Sequence, residues 1–221
     1  MATATAPRTD PAVERDVENE LSWDPAIDAE DIDVAVDNGV VTMTGTVKTY
    51  AQKLMAERAV RDLNGVRAVA NDLLVRTADT VTDKQIAQTV AAMIESNVLL
   101  KQQDINITVR NGIVILDGQV DWEYQRRSAE QTIQNVRGIT TAINNIKVVP
   151  PAIAIKDVHK AIQQAFERNA RLDASRILVE VNHGRVRLYG SVDTLDEKYN
   201  AGRAAWRAPG VTSVQNDLVV I

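Results

Sequence analysis

The chain has no cysteine, a single phenylalanine and only 4% aromatic residues across its 221 positions. Without cysteine there is no disulfide framework, no thiolate nucleophile and no sulfur-ligated metal site. With so few rings, the core has to be built from aliphatic side chains. The two histidines, His159 and His183, stand apart and lack paired carboxylates, a poor basis for acid–base or metal chemistry. No run of about 18 apolar residues occurs, so no segment reads as a membrane-spanning helix. Positive charge is also short, with 25 basic against 30 acidic residues and a net charge of −5. The deficit is uneven: residues 9–77 carry −7, residues 78–150 carry −1 and residues 151–221 carry +2. No segment has the strong basic footprint of a nucleic-acid-binding domain. The first residues, Met1 to Arg8, lack the basic and apolar regions of a secretory signal. The expectation is a cytoplasmic protein if Met1 is the native start, and a periplasmic one if a signal peptide was removed.

What the chain does have is a repeat. The stretch Asn111-Gly112-Ile113-Val114-Ile115-Leu116-Asp117-Gly118-Gln119-Val120 has counterparts beginning at Asn38-Gly39 and His183-Gly184, spaced by 73 and then 72 residues. Each copy follows an alternating run: Ile32, Val34, Val36; Ile105, Ile107, Val109; Ile177, Val179, Val181. Period two puts those side chains on one face of a strand. Asn-Gly between two such runs predicts a hairpin with a type I′ turn, whose two central residues need positive φ. The turn glycines are Gly39, Gly112 and Gly184. A second set, Gly45, Gly118 and Gly190, interrupts the following strand and marks a bulge or a close backbone approach.

The repeat extends to both sides. Upstream, apolar residues fall at i, i+4 and i+8 in Val13, Val17, Leu21, then Ile86, Val90, Ile94, then Val158, Ile162, Phe166, which predicts one amphipathic helix per copy. Downstream, a second helix is expected over roughly 50–63, 123–136 and 195–208, with Ala56, Ala129 and Ala201 on its packing face. Gly65, Gly138 and Gly210 then stand where a helix should stop. A last strand follows over 69–75, 142–148 and 214–220, carrying Asn71, Asn144 and Asn216, read as satisfying local backbone groups. The fold class is therefore α+β: three tandem αββαβ modules at 9–77, 82–149 and 153–221, each a small three-stranded mixed sheet packed on two helices. Units of about 70 residues are marginally stable alone. The linker containing Pro150-Pro151 is the stiffer of the two.

This pattern resembles the BON domain, named for osmotically inducible and nodulation proteins of bacteria. The residues that carry the resemblance are Asn38-Gly39-Val40-Val41-Thr42-Met43-Thr44-Gly45-Thr46-Val47, the helix stop Asn64-Gly65-Val66, and Val69, Asn71, Leu73 and Val75. The resemblance covers nearly the whole chain in three copies. It implies a membrane-association or phospholipid-binding module of osmotic-stress and envelope-maintenance proteins, with no enzymatic activity, no cofactor and no binding residues defined by the motif. Some proteins of that family are cytosolic, and one kind joins the domain to a LysM module and binds potassium. No LysM-like segment is present here.

Candidate binding residues come from the chain itself. Trp122, Tyr124, Arg126 and Arg127 open the second helix of the middle module. Rings beside arginines suit a membrane interface, an inter-domain contact or a cover over the core. Trp206 with Lys198, Arg203 and Arg207 forms a similar group in the third module. Outward positions of the second strand read Val40 and Thr42, then Ile113 and Ile115, then Arg185 and Arg187. The apolar pair Ile113 and Ile115 is expected to pack against a neighbouring repeat or a second copy of the chain. The acidic stretch from Asp24 to Asp33 lacks the register of a calcium loop and reads as a solvated loop, so no metal site is expected. Two functions follow. The first is a non-enzymatic stress protein that binds phospholipid headgroups at a membrane surface. The alternative is a soluble cytosolic scaffold for proteins, or an ion-responsive sensor of the potassium type.

Overall fold

A computed structural model describes residues 8–76, 81–101, 103–151, 158–168 and 174–221. The expected start of the third module at residue 153, the segment before Arg8 and most of the first linker lie outside these residues. The chain is α+β. Its first repeat runs α1 (Asp10–Trp23), β1 (Ile32–Asp37), β2 (Val40–Val47), α2 (Tyr50–Arg61), β3 (Ala68–Asn71) and β4 (Leu74–Val75). The second runs α3 (Asp83–Ser96), β5 (Asp104–Arg110), β6 (Ile113–Val120), α4 (Glu123–Ile133), β7 (Thr141–Asn144) and β8 (Lys147–Val148). The third runs α5 (Val158–Glu167), β9 (Ile177–Asn182), β10 (Arg185–Val192), α6 (Leu195–Trp206) and β11 (Ser213–Val220). The chain divides into two compact units, one comprising Met1–Arg76 with Asp193–Asp196 and Val220–Ile221, the other Thr77–Val192 and Glu197–Val219.

In each sheet the second strand is central. Its hairpin partner runs antiparallel in all three repeats, and the last strand runs parallel to it in the first two. The hairpins turn through left-handed pairs: Asn38 and Gly39 at φ 51° and 75°, Asn111 and Gly112 at 51° and 74°, His183 and Gly184 at 46° and 79°. Histidine tolerates this region better than most side chains do, so the third turn keeps the shape of the others. Buried stripes come from the helical period: Val13, Val17 and Leu21 on α1, Ile86, Val90 and Ile94 on α3, Ile162 and Phe166 on α5. They cover Val41 and Met43, Val114 and Leu116, and Val186 and Leu188, all at most 2% exposed. Ala56, Ala129 and Ala201 are fully buried, so the second helix of each repeat sits close on its sheet.

Two details depart from the expected elements. The second helices end two or three residues early, at Arg61, Ile133 and Trp206. The last strand, expected to be continuous, is interrupted at Asp72-Leu73 and Asn145-Ile146 and unbroken only in β11. At the breaks Asn71 Oδ1 accepts from Leu73 N at 3.4 Å and Asn144 Oδ1 from Ile146 N at 3.2 Å. The same bond, Leu218 N to Asn216 Oδ1 at 3.4 Å, is made within the unbroken β11, and Leu73, Ile146 and Leu218 are buried alike at 1%, 3% and 1% exposure. The same asparagines donate to the neighbouring helix, Asn71 to Lys53 O at 3.1 Å, Asn144 to Arg126 O at 2.9 Å and Asn216 to Lys198 O at 2.7 Å.

An anchor spans each of the first two repeats. The carboxylate of Asp83, in the first turn of α3, accepts from Asn111 N at 2.7 Å and Gly112 N at 2.9 Å. Asp10 on α1 holds Asn38 N and Gly39 N at 2.8 and 2.9 Å. A charged acceptor thus satisfies both amides of the turn and ties helix to hairpin. Ile155 occupies the matching position of the third copy in the sequence. Asp83→Ala is expected to cost about 2 kcal/mol, the loss of two charge-assisted hydrogen bonds in a half-exposed setting. Hydrogen exchange should show it locally, as faster exchange at the Asn111 and Gly112 amides with the first repeat unchanged.

Candidate functional site

The aromatic and basic group of the middle repeat is built at the start of α4. Gln125 Oε1 accepts from Trp122 N at 3.0 Å, and its Nε2 donates to Leu99 O at 3.0 Å. This buried glutamine therefore ties the helix start to the loop after α3. Tyr124 points outward with 56% exposure, while Trp122 and Arg127 are half-buried. Arg126 is fully engaged. Its Nε and a terminal nitrogen reach the two carboxylate oxygens of Glu123 at 2.6 and 2.8 Å, a bidentate pair. Its guanidinium also lies 4.9 Å from the ring centroid of Trp206 on α6. That distance is within the range of a cation–π contact.

The structure thus brings together two groups that the sequence places 80 positions apart, and both residues belong to the same compact unit. Of the three readings open for Arg126 and Trp206, their geometry is that of a contact joining the second and third repeats. Arg203, on the same helix as Trp206, and Arg207, just beyond it, are exposed. The terminal nitrogen of Arg203 hydrogen-bonds Asn200 Oδ1.

On the outer sheet faces, Ile113 and Ile115 are half-buried rather than fully covered. The register sets Ile115 beside Thr108 and Ile143, and Ile143 is 42% exposed. In the third repeat the same face carries Arg187, which meets Asp217 at 2.6 Å. The hydrogen bond from Arg187, with a second from Gln215, holds the Asp217 carboxyl below the usual carboxylate range. His159 and His183 are exposed, and among the described residues no group of three His, Asp or Glu is placed to hold a metal. No helix among them is long and apolar enough to cross a membrane.

Several exposed residues escape a reading by periodicity. Trp23 is 83% exposed at the end of α1, and Val98 and Leu99 are 86% and 49% exposed after α3. The period Ile86, Val90, Ile94 would bury Val98 if the helix continued. Instead α3 ends at Ser96, and Asn97 turns extended at φ −75°, ψ 113°, so Val98 swings outward. The helix end is set by capping and by Asn97 Nδ2, which donates to Ser128 Oγ and Thr132 Oγ1 on α4 at 3.0 and 2.8 Å.

Fold and surface together define a protein of tandem αββαβ modules whose distinguishing chemistry lies on helix faces. The chain belongs to the BON domain family, which matches residues 9–77, 82–150 and 156–221. It is similar to osmotically-inducible protein Y of Escherichia coli (strain K12), 32% identical over 127 residues, covering 55% of this chain and 63% of that protein. The chain thus spans less than two thirds of that relative. An uncharacterized protein of Anaplasma centrale is 28% identical over 123 residues, covering 53% of this chain and 81% of its own. Among solved structures, the C-terminal domain of CdsD, a structural protein of the type III secretion system of Chlamydia trachomatis, aligns over 94% of this chain and 96% of its own, at 16% identity and a TM-score of 0.26.

Proposed function

We propose that the chain is a non-enzymatic, osmotic-stress-associated protein that docks on phospholipid membrane surfaces through the α6 face of its third module. The observation that carries this reading is the exposure of Arg203 and Arg207 at the end of α6, in the one module with a net positive charge. Membership of the BON family and the similarity to osmotically-inducible protein Y support the stress association. The net charge of −5 opposes general attraction to anionic lipid, so binding is local. Tyr124 is the remaining exposed aromatic of the middle group and adds an interfacial ring.

Flotation of the full chain with vesicles tests this. Vesicles containing phosphatidylglycerol are expected to carry the protein up the gradient, and phosphatidylcholine vesicles to carry much less. Arg203→Gln with Arg207→Gln should reduce partitioning by about thirtyfold, since each basic residue near an anionic surface contributes about 1 kcal/mol. Flotation unaffected by the double substitution, or none with any lipid, would overturn the reading and leave a protein partner as the target of these modules.

A further inference from the structure

A cleft of about 590 Å³ opens between α5 and α6 in the third repeat. Three arginines line it: Arg168 just beyond α5, Arg203 on α6 and Arg207 just beyond α6, all exposed. Among the described residues no carboxylate lines it. Its walls are alanines, Ala161 and Ala165 from one side and Ala204 and Ala208 from the other. The middle repeat has Thr89, Met93, Thr132 and Val136 at these positions, and there the Asn97 bonds to Ser128 and Thr132 cross the same space. The arginine positions correspond to Ser96, Gln131 and Asn135 in the middle repeat, and to Trp23, Arg58 and Asp62 in the first. Only the third copy pairs small walls with three guanidiniums.

We propose that this cleft binds a phosphate group, as a free anion or as the phosphodiester of a lipid headgroup. Guanidinium forks match phosphate oxygens in pairs and remain charged at all physiological pH values. The alanine walls leave room for the anion to reach all three arginines. Asn200, 4% exposed, accepts from Arg203 and steadies it at the cleft. The inference deepens the membrane reading, resting on the same α6 face, and adds Arg168, which sequence reasoning did not single out.

The test is an NMR titration of the full chain with sodium phosphate at constant ionic strength, following the arginine Nε–Hε signals. Saturable shifts are expected at Arg168, Arg203 and Arg207. Arg168→Gln, at an exposed site, should weaken phosphate binding by about tenfold, the factor carried by one hydrogen bond to a charged group. Ala165→Met, which installs the side chain of Met93, should weaken it similarly while every arginine stays in place. Phosphate binding together with flotation on phosphatidylglycerol vesicles identifies a lipid headgroup. Phosphate binding without flotation leaves the cleft standing for a free anion while the membrane reading falls. Shifts reproduced by chloride, absent with phosphate, or unchanged in Ala165→Met would overturn the cleft, even if vesicles still carried the protein.

Discussion

Gly118→Ala is expected to leave a large fraction of the middle module unfolded. Gly118 lies in β6 at φ +132°, and a Cβ there would sit 2.0 Å from the Asp104 carbonyl oxygen. The obstacle is backbone held by the β5–β6 ladder, so no rotamer change relieves it. Both the conformation and the space oppose any L side chain, and the cost should exceed about 3 kcal/mol. A module of about 70 residues has a total stability of roughly 4–10 kcal/mol. The same substitution at Gly45 would meet Asp31 O at 2.0 Å, and at Gly190 Arg176 O at 2.1 Å. Each is therefore expected to collapse its own module by a similar margin. Urea unfolding followed by hydrogen exchange, repeat by repeat, checks this. Full protection of β5 and β6 amides in Gly118→Ala would show that the strands can part without loss.

Arg126→Ala is expected to lower stability by about 3 kcal/mol, because it strands a buried charge. The Glu123 side chain is 9% exposed, and the bidentate bond from Arg126 is the ion pair that balances it. The substitution also removes the guanidinium from the Trp206 ring, a contact worth about 1 kcal/mol at a partly exposed site. Adding Glu123→Gln should recover most of the loss, since the neutral amide tolerates burial better than an orphaned carboxylate. Trp206→Ala in the Arg126→Ala background should cost less than in the natural chain, and the double-mutant cycle measures their coupling. The checks are the urea midpoint and tryptophan fluorescence. An unchanged midpoint combined with lost vesicle binding would return Arg126 to the membrane surface.

The repeat, the element order and most of the core were legible because each rests on a local signal. Alternation in β1, β5 and β9, the i, i+4 stripes of the first helices and the Asn-Gly turns all act within about ten residues. The strand glycines were legible as positions of close approach, although not which carbonyl they approach. The interruptions of the last strands were not legible, since Asn71, Asn144 and Asn216 all accept from the backbone two residues on and only the first two strands break. Asp10 and Asp83 stand in the first turns of α1 and α3 and serve also as turn anchors for residues 28 and 29 positions away. Nothing local marks that second use.

By itself, the sequence determined a chain of three αββαβ modules and the family they belong to. Period and turn chemistry are properties of short segments, and they survive in each copy whatever surrounds it. Tertiary structure decided which arginines meet solvent. Arg126 and Arg203 look alike as basic residues on second helices, yet one is held by Glu123 and Trp206 while the other is exposed and bonds Asn200 at an alanine-walled cleft. A cation's availability depends on its burial and its partners, and those are set by packing between segments far apart in the chain.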